Sequence, residues 1–184
     1  MQQHTDAQVD IDVVWMGNLW EEFASGAYDF AFSPGLPFAG TVRVEAVYVD
    51  PVVFFASPAH PLARRVTVAF DELRKEQLVG KFSDPYWMRI QRDLEERGYA
   101  FSQSIDLSSA EAVKRIVLSG VGVGVLFESA VLAELGREEL VALPVGEQDY
   151  EQPYFIVRPE IESTPQAERL CAFLREELTR VRRA

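Results

Sequence analysis

Two short polar clusters carry the chemistry legible in this chain. Phe82-Ser83-Asp84 and Ser108-Ser109 each stand directly ahead of a helical pattern. Hydroxyl side chains and the free N–H groups of a first helical turn bind carboxylate or phosphate oxygens, so each cluster is a candidate anion contact. Tyr86 and Trp87 fall just inside the first of these helices and would stack on an apolar or aromatic ligand body. The same residues have plainer uses. Ser108, Ser109 and Asp84 serve as helix caps with or without a ligand, and the Asp84 charge opposes an anion. Trp87 suits a core as well as a pocket.

Catalytic chemistry is poorly supplied. His4 and His60 are far apart and Cys171 is the single cysteine, so no zinc-type cluster is expected, and no cofactor. His60 shapes the turn before Pro61, and Cys171 reads as a buried small hydrophobe rather than a redox sensor. The run Gly120-Val121-Gly122-Val123-Gly124 follows a helix and enters a strand, the reverse of a dinucleotide-binding context. Neither a Gly-x-Ser-x-Gly elbow nor a P-loop occurs. Glu21-Glu22 and Glu95-Glu96 read as solvated helix faces. An enzyme is not expected.

Positioning falls to alternating strands and helices. Ile105 opens a short strand, Ser108 and Glu111 have capping-box spacing, and Val113, Ile116 and Val117 give one apolar helix face. That helix ends at Ser119-Gly120, and the glycine run enters a buried strand from Val123 to Leu126. Upstream, Val9 to Trp15 alternates at period two and predicts a strand, Leu19 to Ser25 a helix, and Tyr28 to Phe32 a parallel-type buried strand. Ser33-Pro34-Gly35 is turn chemistry. Val42 to Val49 and Val52 to Ala56 predict two strands, Phe70 to Arg74 a short helix, and Leu78 to Gly80 a strand. Asp84-Pro85 starts a helix that runs to Arg97. Ala130 to Leu135 is a helix closed by Gly136, and Leu140 to Leu143 a strand. Ser163-Thr164-Pro165 starts the last helix, with Leu170, Phe173, Leu174, Leu178 and Val181 as its apolar stripe.

Four segments resemble the effector-binding domain of LysR-type transcriptional regulators, in that family's order. They are Val13 to Asn18 with the helix and strand after it, Val53 to Ala63 with its His-Pro-Leu-Ala turn, Ser109 to Leu126, and Gln152 to Arg158. The third matches the pattern S-x-E-A-V-K-R-x-V-x-x-G-x-G-x-x-x-L. The resemblance implies an α/β fold of the two-lobed, periplasmic-binding-protein-like type II, with mixed, mostly parallel sheets and flanking helices. It implies lobes of residues 1–52 plus 152–184 and of 53–151. It also implies that a helix-turn-helix domain, a linker and the first strand and helix of the effector domain come before such a chain. This one would then be a fragment, a misplaced start or a naturally reduced protein.

On that plan the ligand lies where the lobes face each other, among turns that follow strands. Gly17, Asn18, Ser33 and Pro34 would contribute from one lobe, and Phe82, Ser83, Trp87, Ser108, Ser109 and Phe127 from the other. Asn18 equally serves as a helix cap. The implied partner is a small-molecule effector with an anionic or polar end and an apolar body. DNA would be met only through the missing helix-turn-helix domain, in a homo-oligomeric full-length protein. A transporter's solute-binding protein and a free-standing partner of intact regulators are the competing readings.

Bulk properties agree with a cytoplasmic globular domain. The chain has 184 residues, 48% of them hydrophobic. Its 18 basic against 29 acidic residues give a net charge of −11. Neutralising phosphates needs clustered cations, so autonomous DNA binding is not expected. No apolar run reaches membrane-spanning length, and Met1 to Asp10 lacks signal-peptide character.

Overall fold

Hydrophobic alternation with period two and apolar spacing of three and four residues recur along the chain, and strands and helices form accordingly. The computed structural model describes residues 9–14, 16–35, 42–146, 150–160 and 164–181. The chain divides into two compact units, Met1–Val49 with Pro153–Ala184, and Asp50–Gln152. It passes between them within two strands, β2 (Val42–Ala56) and β7 (Glu151–Pro159).

In the first unit, α1 (Met16–Ala24) buries Leu19 and Phe23 against Ala31 and Val157. Residues 9–14 form no strand, although Val9, Ile11 and Val13 alternate as expected. Those three side chains are exposed, so the alternation has no sheet face to bury. Trp15 lies outside the described residues. The expected parallel-type strand at Tyr28 to Phe32 is the shorter β1 (Ala31–Ser33), and it pairs antiparallel with β7, Phe32 opposite Ile156. The last helix, α6 (Pro165–Val181), is capped by the Thr164 hydroxyl, which accepts the Ala167 N–H at 3.2 Å. Ser163 is not among the described residues. The packed face of α6 centres on Cys171, which is 1% exposed, while Phe173 of the expected stripe is 36% exposed. Burial raises the Cys171 thiol pKa, as a small core hydrophobe requires.

The second unit is an open sheet with helices on both faces. Its strand order is β2-β5-β3-β4, with β6 (Val141–Ala142) also on β2. β3 (Leu78–Gly80), β4 (Ser104–Asp106) and β5 (Val123–Phe127) are mutually parallel through β3, whereas β2 runs antiparallel to β5. Parallel pairing is thus concentrated in this inner group, and the remaining registered pairs are antiparallel. β2 is one strand where two were expected, since it continues through Asp50-Pro51. Asp50, 2% exposed, accepts the Ser129 N–H at 3.1 Å and the Ser129 hydroxyl at 2.6 Å. Those bonds give a carboxylate inside a strand the partners it needs.

Alternation sorts side chains to the two faces. Val52, Phe54 and Ala56 of β2, Leu78 of β3, and Val123 and Val125 of β5 join one core. Into it α3 (Pro85–Glu96) drops Trp87, Ile90 and Leu94 at spacings of three and four. α2 (Phe70–Leu73) adds Phe70 and Leu73. Phe55, Val79 and Leu126 face the other core, with Val113 and Val117 of α4 (Ala110–Leu118) and Val131 of α5 (Glu128–Gly136). α3 starts where expected, with Asp84 accepting the Tyr86 N–H at 3.0 Å. α5 does not end on a left-handed glycine; Gly136 is its last residue, and the left-handed position is Glu138 at φ 57°. His60 caps a 3-10 turn, its Nδ1 accepting the Leu62 N–H at 3.2 Å.

Candidate ligand site

β3 and β4 are neighbours and parallel, but the chain leaves them toward opposite faces of the sheet. α3 follows β3 into one core and α4 follows β4 into the other. The C-terminal ends of adjacent parallel strands with diverging connections are the usual ligand position in an open α/β sheet. Phe82, Ser83 and Asp84 follow β3, Ser108 and Ser109 follow β4, and Phe127 ends β5. These predicted residues therefore share one edge of the second unit. Gly17 and Asn18 belong to the first unit, inside α1 rather than in a turn after a strand. Ser33 ends β1 and is buried, its hydroxyl oxygen accepting the Gly35 N–H at 3.0 Å, and Pro34 follows in the bend.

The two helix starts at this edge differ chemically. α3 is capped by the Asp84 side chain, whose carboxylate already accepts the Tyr86 N–H of its first turn. α4 is capped at Ser109, whose side chain makes no capping hydrogen bond. The expected box from Ser108 to Glu111 does not form. With Ser109 as N-cap, Glu111 falls one position short of a box, and it pairs with Lys114 at 2.5 Å. Among the described residues no side chain thus accepts a first-turn N–H of α4, the condition that favours an incoming anion.

An aromatic wall stands beside this edge. Tyr86, Trp87 and Phe127 have ring centroids 4.9 to 5.7 Å apart. Trp87 is 3% exposed and belongs to the core. Tyr86 and Phe127 are only partly buried and carry the accessible part of the wall. The Arg89 guanidinium lies over the Tyr86 ring, 5.0 Å from its centroid. Phe82 is buried as well, which leaves Ser83 as the exposed member of its cluster.

Sequence reasoning missed Asp106, the last residue of β4. Its carboxylate accepts the Ser83 N–H at 3.2 Å and the Ser83 hydroxyl. The hydroxyl's hydrogen bond, helped by backbone N–H groups of Ser83 and Phe82, holds the Asp106 carboxyl below its ordinary pKa. The available signal was an acid closing a short strand two residues ahead of the Ser108-Ser109 helix start. Among the described residues no cluster of His, Cys, Asp and Glu could hold a metal ion, and no helix is long and apolar enough to cross a membrane.

A doubly wound unit with an open helix start and an aromatic wall at its switch point has the architecture of a small-molecule-binding domain. The chain belongs to the family of LysR substrate binding domains, whose model matches residues 1–179. It is 28% identical over 182 residues to the RuBisCO operon transcriptional regulator of Allochromatium vinosum, covering 98% of this chain and 60% of that protein. The chain thus spans less than two thirds of that relative's length. The regulatory domain of Synechocystis PCC6803 CcmR, in complex with 2-PG, shares the fold at TM-score 0.76 and 18% identity. That likeness covers 96% of this chain and 86% of the other. The BenM effector binding domain, with its effector benzoate, matches at TM-score 0.76 and 14% identity, covering 97% and 82%.

Proposed function

We propose that this domain senses a small anionic effector for a LysR-type transcriptional regulator, with the anion seated at the start of α4. The observation that carries the reading is the Ser109 cap, whose side chain makes no capping hydrogen bond to the first turn of α4 at the sheet's switch point. Ser108 and Ser109 supply hydroxyls there, and Tyr86 and Phe127 face the apolar body of the ligand. In a full-length regulator the effector would favour one arrangement of the protein by its differential affinity, and the DNA-binding part would read the change. Such a regulator would work in the cytoplasm as a homo-oligomer. The net charge of −11 supports leaving DNA contact to another part of the full-length protein.

Relatives' ligands supply the first probes. Calorimetric titration of 2-PG and of benzoate should show binding of at least one by the wild type. Ser109→Leu should weaken that binding roughly tenfold or more, since a charge-assisted hydrogen bond is worth about 1.5–3 kcal/mol. Its fold should be unchanged by circular dichroism, because Ser109 is exposed. Equal affinity for both proteins would remove Ser109 from the site.

A further inference from the structure

Gly80 and Asp106 stand opposite each other at the ends of β3 and β4. Just beyond, Ser83 turns both its donors, the backbone N–H and the hydroxyl, onto the two Asp106 oxygens. The hydroxyl hydrogen is thereby committed, and Ser83 Oγ keeps only lone pairs. A carboxylate has about four acceptor positions, so Asp106 retains about one after receiving the two Ser83 bonds and the Phe82 N–H. Both residues are exposed, so these remaining acceptors are within reach of a ligand. The pair therefore offers acceptors to a ligand, with a fixed negative charge three residues ahead of the Ser109 cap.

We propose that Asp106, held by Ser83, determines effector specificity by admitting a hydroxyl or ammonium donor beside the ligand's anionic group and rejecting a second anion. The proposal rests on the start of α4 being the ligand site. One negative group is matched there by helix N–H groups, whereas a second would lie against the Asp106 carboxylate. Repulsion between unit charges a few ångström apart is worth on the order of tenfold in affinity. A hydroxyl in the same place instead donates to an ionised acceptor, one of the stronger hydrogen bonds available. Asp106 thus acts by sign and by hydrogen-bond direction at once.

Matched probes isolate that effect. 4-(Hydroxymethyl)benzoate and terephthalate differ by a hydroxymethyl group replaced by a carboxylate, and so do 3-hydroxypropionate and malonate over a shorter span. Titrated at neutral pH, the wild type should favour the hydroxy member of at least one pair by about tenfold. That ratio is read first and needs no variant. Asp106→Asn keeps the shape and removes the charge, and should collapse the preference through tighter binding of the dianion. Ser83→Ala leaves the charge in place and should still reject the dianion. Equal wild-type binding of both members, or an Asp106→Asn ratio like the wild type's, overturns the specificity role and leaves the effector-binding reading standing. Failure of every probe to bind the wild type overturns both.

Discussion

Gly122→Val should unfold the second unit, or lower its melting temperature by roughly 20 °C. Two independent costs meet at this position. Gly122 has φ +60°, a conformation that L side chains adopt at about 1–2 kcal/mol and that β-branched residues adopt worst. A Cβ there would also stand 2.8 Å from Gln77 Cβ and closer still to the Gln77 carbonyl oxygen. That oxygen cannot withdraw cheaply, because it accepts the Val123 N–H at 2.9 Å as β5 enters the sheet beside β3. Gly120 provides the control: its φ is +89°, but nothing lies within 4 Å of a Cβ built on it. Gly120→Ala should therefore cost only the conformational part, about 1 kcal/mol. Thermal denaturation of both variants checks the difference, and equal melting temperatures would show that Gln77 does not constrain the turn.

Lys114→Met should cost about 3 kcal/mol, or roughly 10–20 °C in melting temperature. Lys114 is 7% exposed and bridges Glu111 at 2.5 Å and Glu134 at 2.9 Å, tying α4 to α5. Burial works against the Lys114 charge, but the hydrogen bonds to Glu111 and Glu134 outweigh it and its pKa is raised. Burial likewise opposes the Glu134 charge, yet the Lys114 hydrogen bond leaves its pKa lowered. Glu134 therefore adds stability above its unfolded value, and that part is lost as pH falls through the lower folded value. Lys114 adds stability below its unfolded value, lost as pH rises through the raised folded one. Without the lysine, Glu134 stays buried with its other oxygen also lacking a hydrogen bond, and its remaining cation is the exposed Arg137, 3.7 Å away and shared with Glu139. Glu134 should then prefer its protonated form, so the variant should gain stability on mild acidification. Lys114→Met with Glu134→Leu removes both charges and should recover most of the loss. Urea denaturation at neutral and mildly acidic pH reads both effects.

What the sequence exposed and what it hid divide along the range of the forces involved. α3 was legible to the residue at its start, because Asp84 caps its own helix and Pro85 fits the first position locally. The turn at Gly120 to Gly122 was legible for the same reason. Strand limits were not, because a strand exists only where a distant partner supplies hydrogen bonds. Val9 to Val13 has the alternation without the pairing, and β2 passes through Asp50 because Ser129, 79 residues away, binds its carboxylate. The helix start at Ser108-Ser109 was visible, but its register was displaced by one residue, with Glu111 turned to a lysine whose other partner lies on α5. Candidate hydroxyls could be named from composition and spacing. The Asp106 carboxylate was invisible until the pairing of β3 with β4 brought Ser83 to it.

Amide chemical-shift mapping tests the central claim most directly, that ligand binds at the C-terminal edge of β3, β4 and β5. Titration of 4-(hydroxymethyl)benzoate and of 3-hydroxypropionate into the isotopically labelled domain should, for at least one of them, move Ser83, Ser108 to Ala112, and Phe127 most. Gln77, Ser104 and Val123, at the opposite ends of the same strands, should move least. Perturbations concentrated at that opposite edge or along α6, or no perturbation at all, would contradict the account.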